Sequence, residues 1–284
     1  MGTLAALERI RVAARSFPTH VWAWGIEEST VTRTTVAILA LLLPGCGHIS
    51  PLRSDLVDAE FVVPRDGARS ASVELEVPGD LHVHAGSCSL VKARARYDAA
   101  RAEARADFQI DESGDGTVQL SIEKTRPPST ETELDVCVST ELPLKLTATV
   151  GVGDATFDLS GVQLRDFDAT SGTGDTNIDF GDASVADAQM SIDTGTGDLT
   201  VDAKRATWTG ENTLKIDAGT GDVTVYLPRG IGVRVAIDRG TGSLAIRGLE
   251  KDGDHYVNGL SSSSDDRLDV EIDTGLGDVT IIAG

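Results

Sequence analysis

From Ser70 onward apolar and polar residues alternate with a period of two, interrupted at short intervals by glycine. Val73-Glu74-Leu75-Glu76-Val77, Leu81-His82-Val83-His84, Val118-Gln119-Leu120-Ser121-Ile122 and Leu134-Asp135-Val136-Cys137-Val138 each place their apolar side chains on one face. That pattern predicts strands with one buried side. Ser113-Gly114-Asp115-Gly116, set between two alternating runs, predicts a hairpin turn. Residues 99–106 favour helix by propensity, but Ala93-Arg94-Ala95-Arg96-Tyr97 before them alternates, and residues 91–107 are read as a pair of strands.

Further along, one phrase recurs six times: a Gly-x-Gly-Asp corner followed by alternating residues. The corners are Gly151-Val152-Gly153-Asp154, Gly172-Thr173-Gly174-Asp175, Gly195-Thr196-Gly197-Asp198, Gly219-Thr220-Gly221-Asp222, Gly240-Thr241-Gly242-Ser243 and Gly275-Leu276-Gly277-Asp278. Successive first glycines lie 21, 23, 24, 21 and 35 residues apart, a spacing that marks stacked supersecondary units. Each period has room for two strands, and a single period cannot bury its apolar face alone. The expected fold is therefore all-β: a single-domain parallel β-solenoid of about six coils with period 21–24, preceded by an N-terminal β-strand and hairpin region. Residues 69–147 would form that N-terminal part and residues 148–284 the repeat solenoid, with Phe157, Ile178, Val201, Val225, Ile246 and Ile281 as a core ladder. Glycine at the corners supplies positive φ without steric cost and lets backbones stack closely. The long interval after Gly240 holds about fourteen extra residues, around Lys251 to Asp266, expected as a surface loop at one edge of the solenoid.

Charge narrows the function. With 45 acidic against 25 basic residues and a net charge of -20, the chain repels polyanions, which excludes nucleic acid as a partner. Aspartates bracket three corners, as Asp193 and Asp198, Asp217 and Asp222, and Asp273 and Asp278, while Asp154, Asp175 and Asp238 extend the two columns. Carboxylates one strand apart repel unless compensated, and Ca²⁺ is one compensation. The other is that each aspartate accepts hydrogen bonds from its own turn, and this reading is preferred because the period is more than twice that of calcium-binding nonapeptide arrays and Ser243 breaks the column. No other cofactor is expected. Asp179 and Asp202 could pair as glycosidase carboxylates, but aromatic platforms for sugars are few. His82 and His84 share a strand face without a third ligand nearby, His20, His48 and His255 stand alone, and no nucleophile elbow, zinc motif or phosphate loop is present, so an enzyme is not expected.

The N-terminal region carries an address. Thr34 to Leu43 is an apolar run of ten residues after Arg33, short for a membrane span and suited to a signal-peptide core. It ends in Leu43-Pro44-Gly45-Cys46, which resembles the lipobox of bacterial lipoproteins. The resemblance implies lipidation of Cys46, a membrane partner through that lipid, residues 1–45 as upstream extension and signal peptide with translation starting near Val31, and residues 46–68 as a flexible tether. Gly47 after the lipid cysteine would suit transport to the outer membrane of a two-membraned organism. Cys88 and Cys137 remain, an even count for an oxidising compartment, and are expected either as a disulfide or as two buried thiols.

Residues 142–158, with Pro143 and the Gly151-Val152-Gly153-Asp154 corner, resemble the putative-adhesin family of bacterial envelope proteins, a toast-rack type β-strand-repeat domain of unknown function. Val225-Tyr226-Leu227-Pro228-Arg229-Gly230, Gly240-Thr241-Gly242, Tyr256 and the terminal Ile272-Asp273-Thr274-Gly275-Leu276-Gly277-Asp278-Val279 are similar to the closing segment of envelope-stress proteins with that fold. The resemblance covers about residues 70–284 and supplies no catalytic residue. It implies a non-catalytic envelope lipoprotein acting as an adhesin or stress-response accessory that binds an envelope protein. A polysaccharide-binding or polysaccharide-processing solenoid, calcium-stabilised, is the alternative.

Overall fold

A computed structural model describes residues 56–99, 102–110, 115–124 and 132–284. Cys46, the apolar run before it and Ser113-Gly114 of the expected hairpin turn lie outside these residues. The strand pattern read from alternation is present throughout, and the strands form two sheets, of ten and twelve strands, whose inner faces share one apolar core.

Each repeat places one long strand in the twelve-stranded sheet and one short strand in the ten-stranded sheet, joined at its corner. For the Asp154 coil these are Pro143–Val152 and Ala155–Asp158, and for the Asp175 coil Gln163–Thr173 and Thr176–Asp179. The Asp198 coil comprises Ser184–Thr196 and Leu199–Asp202, and the Asp222 coil Glu211–Thr220 and Val223–Leu227. The Ser243 coil uses Gly232–Thr241 and Leu244–Arg247, and the Asp278 coil Arg267–Leu276 and Val279–Ala283. Neighbouring coils pair in parallel and in register, so Phe157, Ile178 and Val201 face one another along the core. Phe157, Phe167, Phe180 and Trp208 continue it as a chain of edge-on and tilted rings, with centroids 5.3, 6.1 and 5.7 Å apart.

Stack order departs from chain order. The Asp278 coil, last in sequence, lies between the Asp222 and Ser243 coils: Ile272 pairs with Ile216 on one side and with Ile237 on the other. The core ladder therefore runs Val225, Ile281, Ile246, and Ile246 at its end is only half-buried. A seventh coil precedes the six. Ser70–Val77 and Asp80–Gly86 turn at Pro78-Gly79-Asp80 and pair in parallel with the Asp154 coil, which puts Val83 against Phe157.

Beyond it Asp115–Lys124 and Glu133–Ser139 add one more parallel layer. Val91–Asp98 and Ala102–Ile110 then close the two sheets as antiparallel strands. These two strands, expected as a pair, are not paired with each other but lie in different sheets. Leu56–Val63 pairs antiparallel with Val91–Asp98, which corrects the expected tether: from Leu56 onward its residues belong to the sheet, because Phe61 and Val63 alternate towards the core. At the opposite end the long insertion lies at the edge of the stack, as expected, and contains a two-stranded hairpin, Glu250–Asp252 with His255–Val257, which pairs with Arg234 to Ala236.

The two corner glycines have separate jobs. Gly197 has φ +138°, and an added Cβ would run into the carbonyl of Gly174 in the coil below. Gly195 needs no unusual φ, yet its Cβ would meet the carbonyl of Gly172. Gly151, Gly153, Gly172, Gly174, Gly219, Gly221, Gly240, Gly242, Gly275 and Gly277 repeat this arrangement at the other corners, each closely packed on the coil or turn beneath it.

Candidate functional site: the corner columns

The aspartate after each corner does not serve its own turn, which corrects the expectation from turn chemistry. Its Oδ1 accepts the backbone N–H of the equivalent residue in the next coil. Asp80 accepts from Asp154 at 2.9 Å, Asp154 from Asp175 at 2.9 Å, and Asp175 from Asp198 at 2.9 Å. Asp198 then accepts from Asp222 at 2.8 Å, Asp222 from Asp278 at 2.8 Å, and Asp278 from Ser243 at 2.8 Å. The ladder links seven coils and follows stack order. Hydrogen bonds from the Ser243 backbone and hydroxyl hold the Asp278 carboxyl below its ordinary pKa of 3.8. Ser243 ends the column at the outermost coil, where no further N–H follows among the described residues.

Own-turn capping does occur, at the far end of the short strands. Asp158 Oδ1 accepts from Ser160 N at 3.1 Å, Asp179 from Gly181 N at 2.7 Å and Asp202 from Lys204 N at 3.1 Å. Hydrogen bonds from the Ser160 hydroxyl and backbone lower the Asp158 pKa, assisted by Arg205 and His84. Asp179 and Asp202 are therefore turn caps, and Asp179 also pairs with Arg205 at 3.2 Å. Trp208, with its indole N–H donated to Ala203 O at 3.2 Å, is buried with the phenylalanines and offers no sugar platform.

The column before the corner remains on the outer face of the twelve-stranded sheet. In stack order it reads Thr149, Thr170, Asp193, Asp217, Asp273, Asp238. Partial burial, then Asp217 and Asp168, raise the Asp193 pKa. Among the described residues no group of three or more His, Cys, Asp and Glu side chains is placed to hold a metal. Asp193, Asp217 and Asp273 thus form one surface row, and Asp198, Asp222 and Asp278 form another that carries the backbone ladder. His82 and His84 lie on the ten-stranded sheet, where His84 approaches Asp135 at 3.8 Å. An open groove of about 410 Å³ lies beside the hairpin, lined by Lys215, Asp238, Asp254, His255, Glu271 and Asp273 among others. Cys88 and Cys137 form a disulfide with Cα atoms 6.3 Å apart, tying the turn after Asp80–Gly86 to Glu133–Ser139.

Asp80 and its coil lack the full repeat signature, because Val77-Pro78 stands where the other corners carry Gly-x. The signal was available in Gly79-Asp80-Leu81-His82-Val83, which parallels Gly197-Asp198-Leu199-Thr200-Val201.

Stacked coils with glycine corners and two long sheets define an all-β toast-rack protein. The family model described as the N-terminal domain of toast_rack, DUF2154, matches residues 53–202, and the chain belongs to that family. A second model, described as cell wall-active antibiotics response LiaF, C-terminal, matches residues 186–281. The crystal structure of a putative cell adhesion protein from Clostridium sporogenes ATCC 15579 shares the fold at 19% identity and TM-score 0.59, covering 81% of this chain and 100% of that one. A putative adhesin from Bacteroides fragilis NCTC 9343 aligns at 9% identity and TM-score 0.30, over 81% of this chain and 98% of that one. No curated protein shows a significant match. Among the described residues no helix is long and apolar enough to cross a membrane.

Proposed function

We propose that this chain is a non-catalytic scaffold of the bacterial cell envelope, held to a membrane by lipid on Cys46, which presents its coil stack to a partner protein. The observation that carries the reading is the use of the repeated signature. The glycines are consumed by close stacking and the post-corner aspartates by the inter-coil ladder, so the most distinctive residues of the chain build a rigid surface rather than a reaction centre. The match of residues 186–281 to a cell wall-active antibiotics response family, and the adhesion name of the Clostridium sporogenes structure, support an envelope setting. The burial of Trp208 and of three phenylalanines disfavours the polysaccharide alternative.

Two measurements test this reading. Cells fed labelled palmitate should label the wild-type chain in the envelope fraction and not Cys46→Ala; label surviving that change rejects the anchor. Purified exported chain should capture an envelope protein and leave a glycan array blank, and strong glycan binding would reject the protein-scaffold reading.

A further inference from the structure

The outermost coil differs from the six corner coils beneath it in ways that point to a ligand. Leu244–Arg247 ends the ten-stranded sheet, and the hairpin and the turn after it cover Gly232–Thr241 only as far as Ala236. A backbone edge from Ile237 through the corner to Arg247 is thus open among the described residues. Ile237, Leu244 and Ile246 are half-buried here, whereas their partners Ile272, Val279 and Ile281 one coil inward are buried.

Two substitutions distinguish this coil. Arg239 occupies a column that holds Ser171, Thr194, Ala218 and Thr274 in the coils beneath, all buried. Its guanidinium donates to the carbonyl of Gly242 and meets no carboxylate among the described residues. Ser243 replaces the aspartate of the ladder, so no acidic side chain follows the corner here. Residues 229–251 carry five basic side chains against two acidic ones, on a chain of net charge -20. Arg239 is exposed, and a cation with no carboxylate partner at a core-facing position of an edge strand discourages addition of any strand that leaves it unmatched.

We propose that the Ile237–Arg247 edge takes an extended segment of a partner protein as one more coil, and that Arg239 selects a segment carrying a carboxylate opposite it. Main-chain hydrogen bonds to the edge supply affinity, as in other strand-addition complexes, and alternate apolar residues cover Ile237, Leu244 and Ile246. The carboxylate neutralises Arg239 and fixes register. A further coil of this chain's own type is disfavoured, because it would set a small neutral residue such as Ala218 against the guanidinium. This inference rests on the scaffold reading and names its site and partner chemistry.

The probe is a synthetic peptide with the sequence of residues 211–227, compared with the same peptide carrying Ala218→Glu, which sets a carboxylate opposite Arg239 in the register of the stack. The Glu peptide should bind the purified chain at least about tenfold more tightly, a difference of about 1.4 kcal/mol. Arg239→Thr, which restores the residue of Thr194 and Thr274, should fold and erase the preference. Equal binding of the two peptides, binding of neither, or a preference that survives Arg239→Thr overturns the proposal. Self-association of the wild type that Leu244→Lys abolishes would make the occupant a second copy and overturn it as well. Failure here leaves the envelope scaffold standing, since that reading falls on fractionation and glycan binding instead.

Discussion

At the N-terminal end the last parallel layer is covered by two antiparallel strands, backed by Leu56–Val63 and tied by the Cys88–Cys137 disulfide. At the C-terminal end the hairpin and the turn after it cover the outermost coil only as far as Ala236, and beyond that point its core side chains Ile237, Leu244 and Ile246 remain half exposed. The coils between are nearly interchangeable, so the difference lies in how the stack is terminated. Reversing strand direction ends the repeat at one end, because an antiparallel strand cannot continue the corner. At the other end the repeat continues to the edge and is altered in sequence instead, through Arg239 and Ser243. The first device seals the core; the second leaves an edge that can still accept a strand.

The largest effect should follow from removing the coil inserted behind that edge. Leu268, Val270, Ile272, Val279 and Ile281 are buried, each worth about 2 kcal/mol of burial, so their sum approaches the whole stability of an ordinary domain. Deletion of residues 267–284 should abolish cooperative thermal unfolding, whereas replacing residues 250–257 by a short Gly-Ser link should leave it. A deletion variant that melts cooperatively would show that the Asp278 coil is dispensable and not interior. Next in size, Gly197→Ala in mid-stack should cost about 3 kcal/mol in denaturant unfolding, from positive φ and the carbonyl of Gly174 together. Gly242→Ala should cost less, because only one neighbour holds the end coil in place.

At the sealed end, Cys137→Ala should destabilise by about 2 kcal/mol, since the bridge closes a separation of 49 residues. Proteolysis should then start in the antiparallel cap. A melting temperature equal to that of the wild type would assign the cap's stability to its strands alone. The smallest effect belongs to Asp193. Its folded pKa is raised above 3.8, so the folded state binds the proton more tightly, and a penalty grows as pH rises through that raised value. Asp193→Asn should stabilise by a few tenths of a kcal/mol near neutral pH after solvent screening, and the gain should vanish below the ordinary carboxylate range. Asp278 has the opposite sign: its lowered pKa supplies stability above 3.8 that is lost as pH falls through the lowered value.

Alternation and corner spacing made the strands, the parallel coils and the glycine corners legible from sequence, because side-chain period and backbone approach are local requirements. Stack order was not legible. Repeats establish that coils are equivalent, and equivalent edges pair equally well in any order. Only the 35-residue interval before Gly275, long enough for the chain to pass around the Ser243 coil, hinted at the insertion. The aspartate columns were visible, but their bonding was not. A carboxylate beside a turn can reach its own N–H or the next coil's, and the choice depends on strand stacking that sequence does not specify. Asp158, Asp179 and Asp202 take the first option, and the corner aspartates take the second.

Hydrogen exchange at the corner amides reads the inter-coil ladder bond by bond. In calcium-free buffer the amide of Asp222 should be protected although the residue is exposed, and Asp198→Ala should speed its exchange about tenfold, the loss of one hydrogen bond, while Asp198→Asn retains protection. Fast exchange in the wild type, or protection that arises only when calcium is added, would contradict the ladder and return the corner aspartates to metal binding.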